Sequence, residues 1–347
     1  MARLIFITQA FDEDDPLLAV AVSWVRALAA ESRISSVHVV ALRAGRYPAI
    51  PHVSVSPIRA RTRIGTMIRF YRDIIPRLRG TDAFFVHMGG PYPLWLLSFK
   101  LMLGIPVYQW KTHRHVGLMM KFYARFCDTK IFTATPQSFP YHLPNIRVLG
   151  HGIDTGFFTM ADSVSGRGLA IIGRISPVKR IEIALAALAE CHRRGSTLSL
   201  DMYGPVFEGD RGYHETLCAA VRRLGLLDTL AWHGPVPQRD LPSLIGNHRV
   251  VVSCNDGGLD KAVLEAFSCG VPVITDNPCV AEILPPILRA QCIVPRGDAS
   301  AYASAIMAIM AMDGVAYRAL GQELRAVVVA RHSLESLMRG MMKEMAL

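Results

Sequence analysis

Disulfide and zinc chemistry find little support in this chain. Its 347 residues include seven cysteines, an odd number, and no CxxC pair. That usage gives neither a disulfide framework nor a structural zinc site, and reduced, mostly buried thiols are expected. Long apolar runs are also missing. The longest, Leu94–Val107, is interrupted by Lys100 and Pro106, short of the roughly 18–20 residues a spanning helix needs. The amino terminus, MARLIFITQAFDEDD, has one Arg, a short apolar run and no small-residue cleavage site. It reads as a first β-strand rather than a signal peptide, and a cytoplasmic location is expected. No GxGxxG follows the first strand of either half, which argues against a dinucleotide oxidoreductase. Charged residues make up only 19% of the chain against 51% hydrophobic, a composition that folds around a large core.

What is present is mostly positive charge and a regular alternation of elements. The net charge is +10, and between Arg59 and Arg79 stand seven arginines against the single carboxylate of Asp73. Such a stripe suits an anionic membrane surface, a nucleic acid or a phosphorylated substrate, or is simply a solvated face. Asp15 reads as an N-cap with Pro16 at the first helical position. Strands near 4–8, 37–42, 83–87, 107–110, 130–133 and 147–149 alternate with helices near 16–30, 64–78, 93–103 and 118–126. Residues 159–168, TMADSVSGRG, read as a linker. The alternation then begins again at Leu169–Ile172 and runs to closing helices at 299–312 and about 317–345. The spacing predicts an α/β chain of two Rossmann-like, doubly wound domains facing a cleft, with ligands outside the carboxyl ends of the strands.

Four loops of the second half therefore hold the candidate chemistry. Gly173–Lys179, GRISPVK, follows a strand and precedes a helix. Arg174 and Lys179 supply the fork and the point charge that a diphosphate needs, or are two surface cations beside a turn. Tyr203-Gly204-Pro205 and His233-Gly234-Pro235-Val236 are strand ends followed by glycine. The fourth loop, Asn255–Asp260, leads into the helix KAVLEAFS with Asp260 as its N-cap. The helix start offers backbone N–H groups to phosphate oxygens. Glu265, among Val263, Leu264, Ala266 and Phe267, is suited to accept hydrogen bonds from ribose hydroxyls.

Together GRISPVKR, HGPV, LDKAVLEAFSCGVPVITD and HGIDTGFF (His151–Phe158) resemble the retaining GT-B glycosyltransferases of the GT4-type, group 1 family. The resemblance is dense over about 150–285 and looser in the N-terminal half, where it runs through strand order and WKTH. It implies an acceptor-binding domain at 1–158, a donor-binding domain at 159–325, and a C-terminal helix at 326–347 that packs back on the first domain. By resemblance, Arg174 and Lys179 neutralise the donor diphosphate, and Glu265 holds the nucleotide ribose. Gly173, Gly234, Val236, Lys261, Ala262 and Leu264 complete the donor site. His113 is the match to the histidine facing the donor sugar, with His87 and Arg114 on the acceptor side. The family's first glutamate falls at Gly257, a departure, and the loop after the first strand lacks its glycines. Asp12-Glu13-Asp14 looks like a metal-binding DxD but stands before a proline-led helix, so it reads as a loop and cap.

The resemblance thus implies a hexosyltransferase-like enzyme with a retaining mechanism. Its donor is a nucleotide sugar used as co-substrate, with neither metal nor other cofactor. The expected acceptor is a hydroxyl on a glycan, favoured as lipid-linked in cell-surface polysaccharide biosynthesis. The stripe Arg59–Arg79 would place the protein peripherally on an anionic membrane, and no nucleic acid partner is expected. The alternatives are a catalytically degenerate nucleotide-sugar-binding scaffold, motivated by Gly257, and a GT-B-fold sugar-nucleotide epimerase.

Overall fold

The computed structural model describes residues 1–15, 18–112, 117–160 and 166–347. The chain divides into two compact units: residues Met1–Gly152 with Leu334–Leu347, and Ile153–Ser333. The first contains β1 (Ala2–Phe11), α1 (Val20–Ala30), β2 (Ile34–Ala44), β3 (Val53–Pro57), α2 (Arg63–Ile74) and β4 (Ala83–His87). It continues with α3 (Tyr92–Leu103), β5 (Val107–Trp110), α4 (Leu118–Phe122), β6 (Lys130–Thr133) and β7 (Ile146–Val148). All seven strands pair in parallel in the order β3-β2-β1-β4-β5-β6-β7. β4 and β5 are buried along their whole length, the signature of strands covered on both faces.

The second unit has β8 (Leu169–Ile172), α5 (Ile181–Arg193), β9 (Leu200–Tyr203), α6 (Arg211–Arg223), β10 (Leu230–Gly234) and α7 (Leu241–Gly246). It continues with β11 (Val250–Ser253), α8 (Lys261–Ser268), β12 (Val273–Thr275), α9 (Pro278–Ile283), α10 (Pro286–Cys292), α11 (Ala299–Met310) and α12 (Gly314–Arg331). Its sheet is also parallel, ordered β10-β9-β8-β11-β12. None of the seven cysteines is in a disulfide, and only Cys218 is not buried.

Several boundaries differ from expectation. α1 starts at Val20 with Ala19 as a cap that contributes no side-chain bond. Asp15 instead accepts the Leu18 N–H at 2.8 Å and pairs with Arg43 at 2.9 Å, while Pro16 lies outside the described residues. Half of the expected linker, 161–165, does so too. The units part at Gly152/Ile153, six residues before the expected 158/159. Nothing breaks the chain at 325/326, because α12 is continuous to Arg331. The break comes at His332-Ser333, where the Ile153 N–H donates to the His332 carbonyl at 2.7 Å.

After that break α13 (Leu334–Met345) returns to the first unit. Its buried face is Leu337, Met338, Met341, Met342 and Met345, a one-sided stripe at helical spacing. The Tyr108 hydroxyl donates to the Met345 carbonyl at 3.1 Å, and Glu344 pairs with Lys130 at 3.0 Å and Arg147 at 3.1 Å.

The position of α8 within the second unit is set from behind by α12. Arg325 donates to the Ser268 carbonyl at the end of α8, and to the carbonyls of Phe158 at 2.7 Å and Thr155 at 2.8 Å. Beside it Gly321 lets the backbones meet, since a Cβ there would lie 2.4 Å from the Gly270 carbonyl oxygen. Overpacking against a backbone costs about 1–3 kcal/mol. Gly321→Ala is therefore expected to lower the melting temperature by several degrees, read by circular dichroism; an unchanged melting curve would show that this crossing is slack.

Candidate functional site

Each sheet reverses its strand order once, between β1 and β4 and between β8 and β11. Such reversals open a crevice outside the carboxyl ends of the strands. In the second unit this crevice lies between the segment 173–180, after β8, and the segment 254–260, after β11.

Glycines let the strand ends close up. The Gly173 N–H donates to the Tyr203 carbonyl at 2.8 Å, and the Gly204 N–H to the Gly234 carbonyl at 2.7 Å. A Cβ on Gly204 would lie 1.9 Å from the Gly173 carbonyl oxygen, so any side chain there would prise β8 and β9 apart. Arg174 is exposed and pairs with no carboxylate among the described residues. Lys179 folds back over the loop, its Nζ 3.0 Å from where a Cβ on Gly173 would stand. It forms an ion pair with Asp260, both side chains largely buried. The same Asp260 caps α8, accepting the Ala262 N–H at 3.4 Å. One carboxylate thereby holds Lys179 at the positive end of a helix.

Three residues that sequence reasoning passed over brace this arrangement. Arg180 takes a left-handed conformation, φ 45°. It donates to the Cys254 carbonyl at 2.7 Å and pairs at 2.5 Å with Asp276, whose side chain is fully buried. The Asn277 amide donates to the Asn255 carbonyl at 2.8 Å and to those of Gly257 and Gly258 at 3.3 Å. Its own carbonyl caps α9. Arg180 and Asp276 stand inside strings already singled out, Asn277 directly follows one, and the Asn-Pro pair at the start of α9 is a cap signal. At Gly257 the N–H donates to Asn255 Oδ1 at 3.1 Å, and a Cβ would come within 3.2 Å of the same atom.

Glu265, on the second turn of α8, is only 3% exposed. Burial raises its carboxyl pKa, against the opposing pull of Lys261. Its Oε1 lies 2.9 Å from Lys261 Nζ but off the hydrogen-bonding direction, so the oxygen keeps accepting capacity. Leu264 is wholly buried. Its side chain belongs to the core beneath α8, so it supports the expected donor site from behind. Val236 is half-buried just after β10.

In the first unit the outcome is different. His87, expected on the acceptor side, is 2% exposed and packed between Phe6 (5.8 Å) and Trp24 (5.0 Å), with Thr8 Oγ1 3.4 Å from its Nδ1. It is a core residue at the end of β4, because β4 is covered on both faces. His113 and Arg114 lie outside the described residues. Lys111, two positions earlier, was missed. Burial lowers its pKa, opposed by Asp128, and its Nζ lies 2.6 Å from where a Cβ on Gly89 would stand. The acidic run at 12–14 is tied up by Arg46, at 2.9 Å from Glu13 and 3.1 Å from Asp14.

Residues 166–312 match the family model described as Glycosyl transferases group 1. A 157-residue stretch, 42% of this chain, is 28% identical to a protein of Segniliparus rotundus named D-inositol 3-phosphate glycosyltransferase. A 144-residue stretch is 28% identical to a protein of the same name from Frankia alni. These matches span about a third of the relatives' own length, 33% and 35%. Among solved structures the chain superposes on Anabaena HepE in complex with UDP and glucose, with a TM-score of 0.79 at 14% identity over 100% of both chains. It also superposes on sucrose-phosphate synthase from Thermosynechococcus elongatus, at 0.77 and 16% identity, over 100% and 99% of the two chains. The fold is the GT-B architecture of two parallel-sheet α/β units.

Burial of Glu265 has a stability signature. A carboxyl whose pKa is raised in the fold stabilises below its unfolded pKa, and loses that contribution as pH rises through the folded value. Glu265→Gln is expected to raise the melting temperature by about 2–4 °C at about pH 8, and by much less at about pH 4. An equal gain at both values would contradict the burial argument. Asp260→Asn keeps a cap and removes the counter-charge on Lys179, so nucleoside diphosphates should bind it several-fold more tightly by calorimetry; weaker binding would contradict that role for the pair.

Proposed function

We propose that this chain, whose residues 166–312 match the glycosyl transferases group 1 family model, moves a sugar from a nucleotide diphosphate donor to a hydroxyl acceptor. The observation that carries the reading is the placement of Lys179 beside Gly173 and at the capped start of α8, next to the buried carboxylate of Glu265. The C1–O bond to the diphosphate breaks, and negative charge grows on the leaving oxygens. Lys179 and Arg174 stabilise that charge as fixed cations, as preorganised charges do in other transfer reactions. No metal is required for this role. Glu265 accepts hydrogen bonds from the ribose hydroxyls, which give partners to a carboxylate that is costly to bury alone. Gly173, Gly234, Val236, Lys261 and Ala262 shape the donor site around these groups.

In this reading the acceptor oxygen attacks from the face the diphosphate leaves, so configuration is retained; the resemblance assigns His113 to the donor sugar and Arg114 to the acceptor. HepE, crystallised with UDP and glucose, makes a uridine diphosphate sugar the first donor to try. The acceptor is a glycan hydroxyl, favoured as lipid-linked in cell-surface polysaccharide assembly. The arginines at 59–79 then draw a cytoplasmic protein to the anionic inner leaflet. Among the described residues no single helix is long and apolar enough to cross a membrane. Gly257 favours a second reading, a scaffold that binds nucleotide sugars without turnover.

A thermal-shift screen of nucleoside diphosphates and their sugars identifies the donor base, because a ligand of the folded state raises the melting temperature. Slow nucleotide release from the stabilising sugar without acceptor marks an enzyme, and binding without release marks the scaffold. Arg174→Ala and Lys179→Ala are each expected to lower turnover by about 10²–10³. Glu265→Ala should weaken nucleotide binding by about 10–100-fold. Full activity in all three variants would place the site elsewhere.

A further inference from the structure

Three consecutive helical segments cover one face of the first unit's sheet. α2 packs on α3 through Phe70, whose ring lies 5.7 Å from Tyr92 and 5.1 Å from Trp95, and through the Tyr71 hydroxyl, which donates to the Trp95 carbonyl at 3.0 Å. α3 in turn meets the turn of π-helix at Tyr123–Cys127 that follows α4, where Lys100 donates to the Cys127 carbonyl at 3.1 Å. The inward side of α2 is Thr66, Phe70 and Ile74. Opposite them, Ile64, Ile68 and Ile75 form a second apolar stripe that faces solvent, 68%, 58% and 55% exposed. The end of α3 adds Leu101 and Met102, 74% and 82% exposed, and α4 adds Leu118 at 84%. The rings of Phe122 and Phe126 lie 5.1 Å apart at a 44° tilt, both exposed. More than half of the large hydrophobic side chains exposed among the described residues lie on this one layer.

The charge on the same stretch has one sign. Residues 59–127 contain twelve lysines and arginines and two carboxylates, Asp73 and Asp82. Asp73 is held by His38 at 2.7 Å and Arg77 at 3.0 Å, and Asp82 by the Arg3 N–H at 2.7 Å. The layer thus presents apolar tips among cations such as Arg61, Arg72, Lys121 and Arg125, all exposed and paired with no carboxylate among the described residues. A second copy of the chain is a poor occupant, because like charges would meet across a two-fold interface. Anionic lipid answers both features, acyl chains for the apolar tips and phosphates for the cations.

We propose that the outer face of α2, α3 and α4 inserts into the interfacial region of an anionic bilayer, seating the first unit on it. This deepens, and rests on, the membrane reading above, which needs only electrostatic attraction; here apolar side chains enter the acyl boundary.

The test is co-flotation with vesicles of phosphatidylcholine containing phosphatidylglycerol, and with phosphatidylcholine alone. Wild-type protein should bind the anionic vesicles and keep a bound fraction at about 0.5 M salt, where surface attraction is screened. Leu101→Ser combined with Met102→Ser, and Ile68→Ser separately, alter exposed positions and should leave the nucleotide-induced thermal shift unchanged. The double variant should partition about tenfold more weakly and lose the salt-resistant fraction. If wild-type protein ignores anionic vesicles at low salt, both the insertion and the membrane reading fall. If it binds them and the double variant binds equally well, insertion alone falls. A wild-type dimer in light scattering that the double variant breaks, without vesicle binding, would make the face an interface between copies and overturn the proposal.

Discussion

Lys179 and Asp260 stand 81 positions apart and meet in one largely buried ion pair. Much of the candidate site depends on that contact. It joins the loop after β8 to the start of α8, across the point where the sheet reverses its order. The pair does three things at once: it fixes the lysine over a glycine that offers no side chain, it caps the helix, and it satisfies a charge that would be expensive to bury alone. Arg180, Asp276 and Asn277 brace the same two loops with a second ion pair, whose carboxylate is fully buried.

Much of this was legible in the sequence because the relevant signals are local. The parallel sheets follow from alternating apolar runs and helix-period segments. Asp260 reads as a cap from its position before KAVLEAF, and Glu265 is unusual for a carboxylate among Val263, Leu264, Ala266 and Phe267. The strings GRISPVKR and LDKAVLEAFSCGVPVITD gave the family resemblance over the stretch that the family model also matches.

The rest failed for identifiable reasons. β3 is five half-exposed residues at a sheet edge, with too little apolar content to stand out. α9 and α10 each begin with proline, which reads as a breaker when it is not taken as a first helical position. The turn at His332-Ser333 carries neither Gly nor Pro, so two helices read as one. His87 was assigned to the acceptor side because it ends a strand, yet strands covered on both faces bury their last residues as well. Spacing also says nothing about which cation is neutralised. Arg174 and Lys179 look equivalent in GRISPVK, and only the fold separates an exposed one from a paired one.

The return of α13 to the first unit has a consequence for the order in which the chain matures. Residues 153–333 emerge from the ribosome before 334–347, so the second unit has all its residues available while the first still lacks a helix. Tyr108, Lys130 and Arg147 must wait for partners about 200 positions downstream. Contacts of such long separation form late and slowly. During synthesis the first unit keeps the apolar surface that Leu337, Met341 and Met345 will cover, and that surface is the one a chaperone or a neighbouring nascent chain meets. Although it begins at the amino terminus, the first unit is the last to be completed.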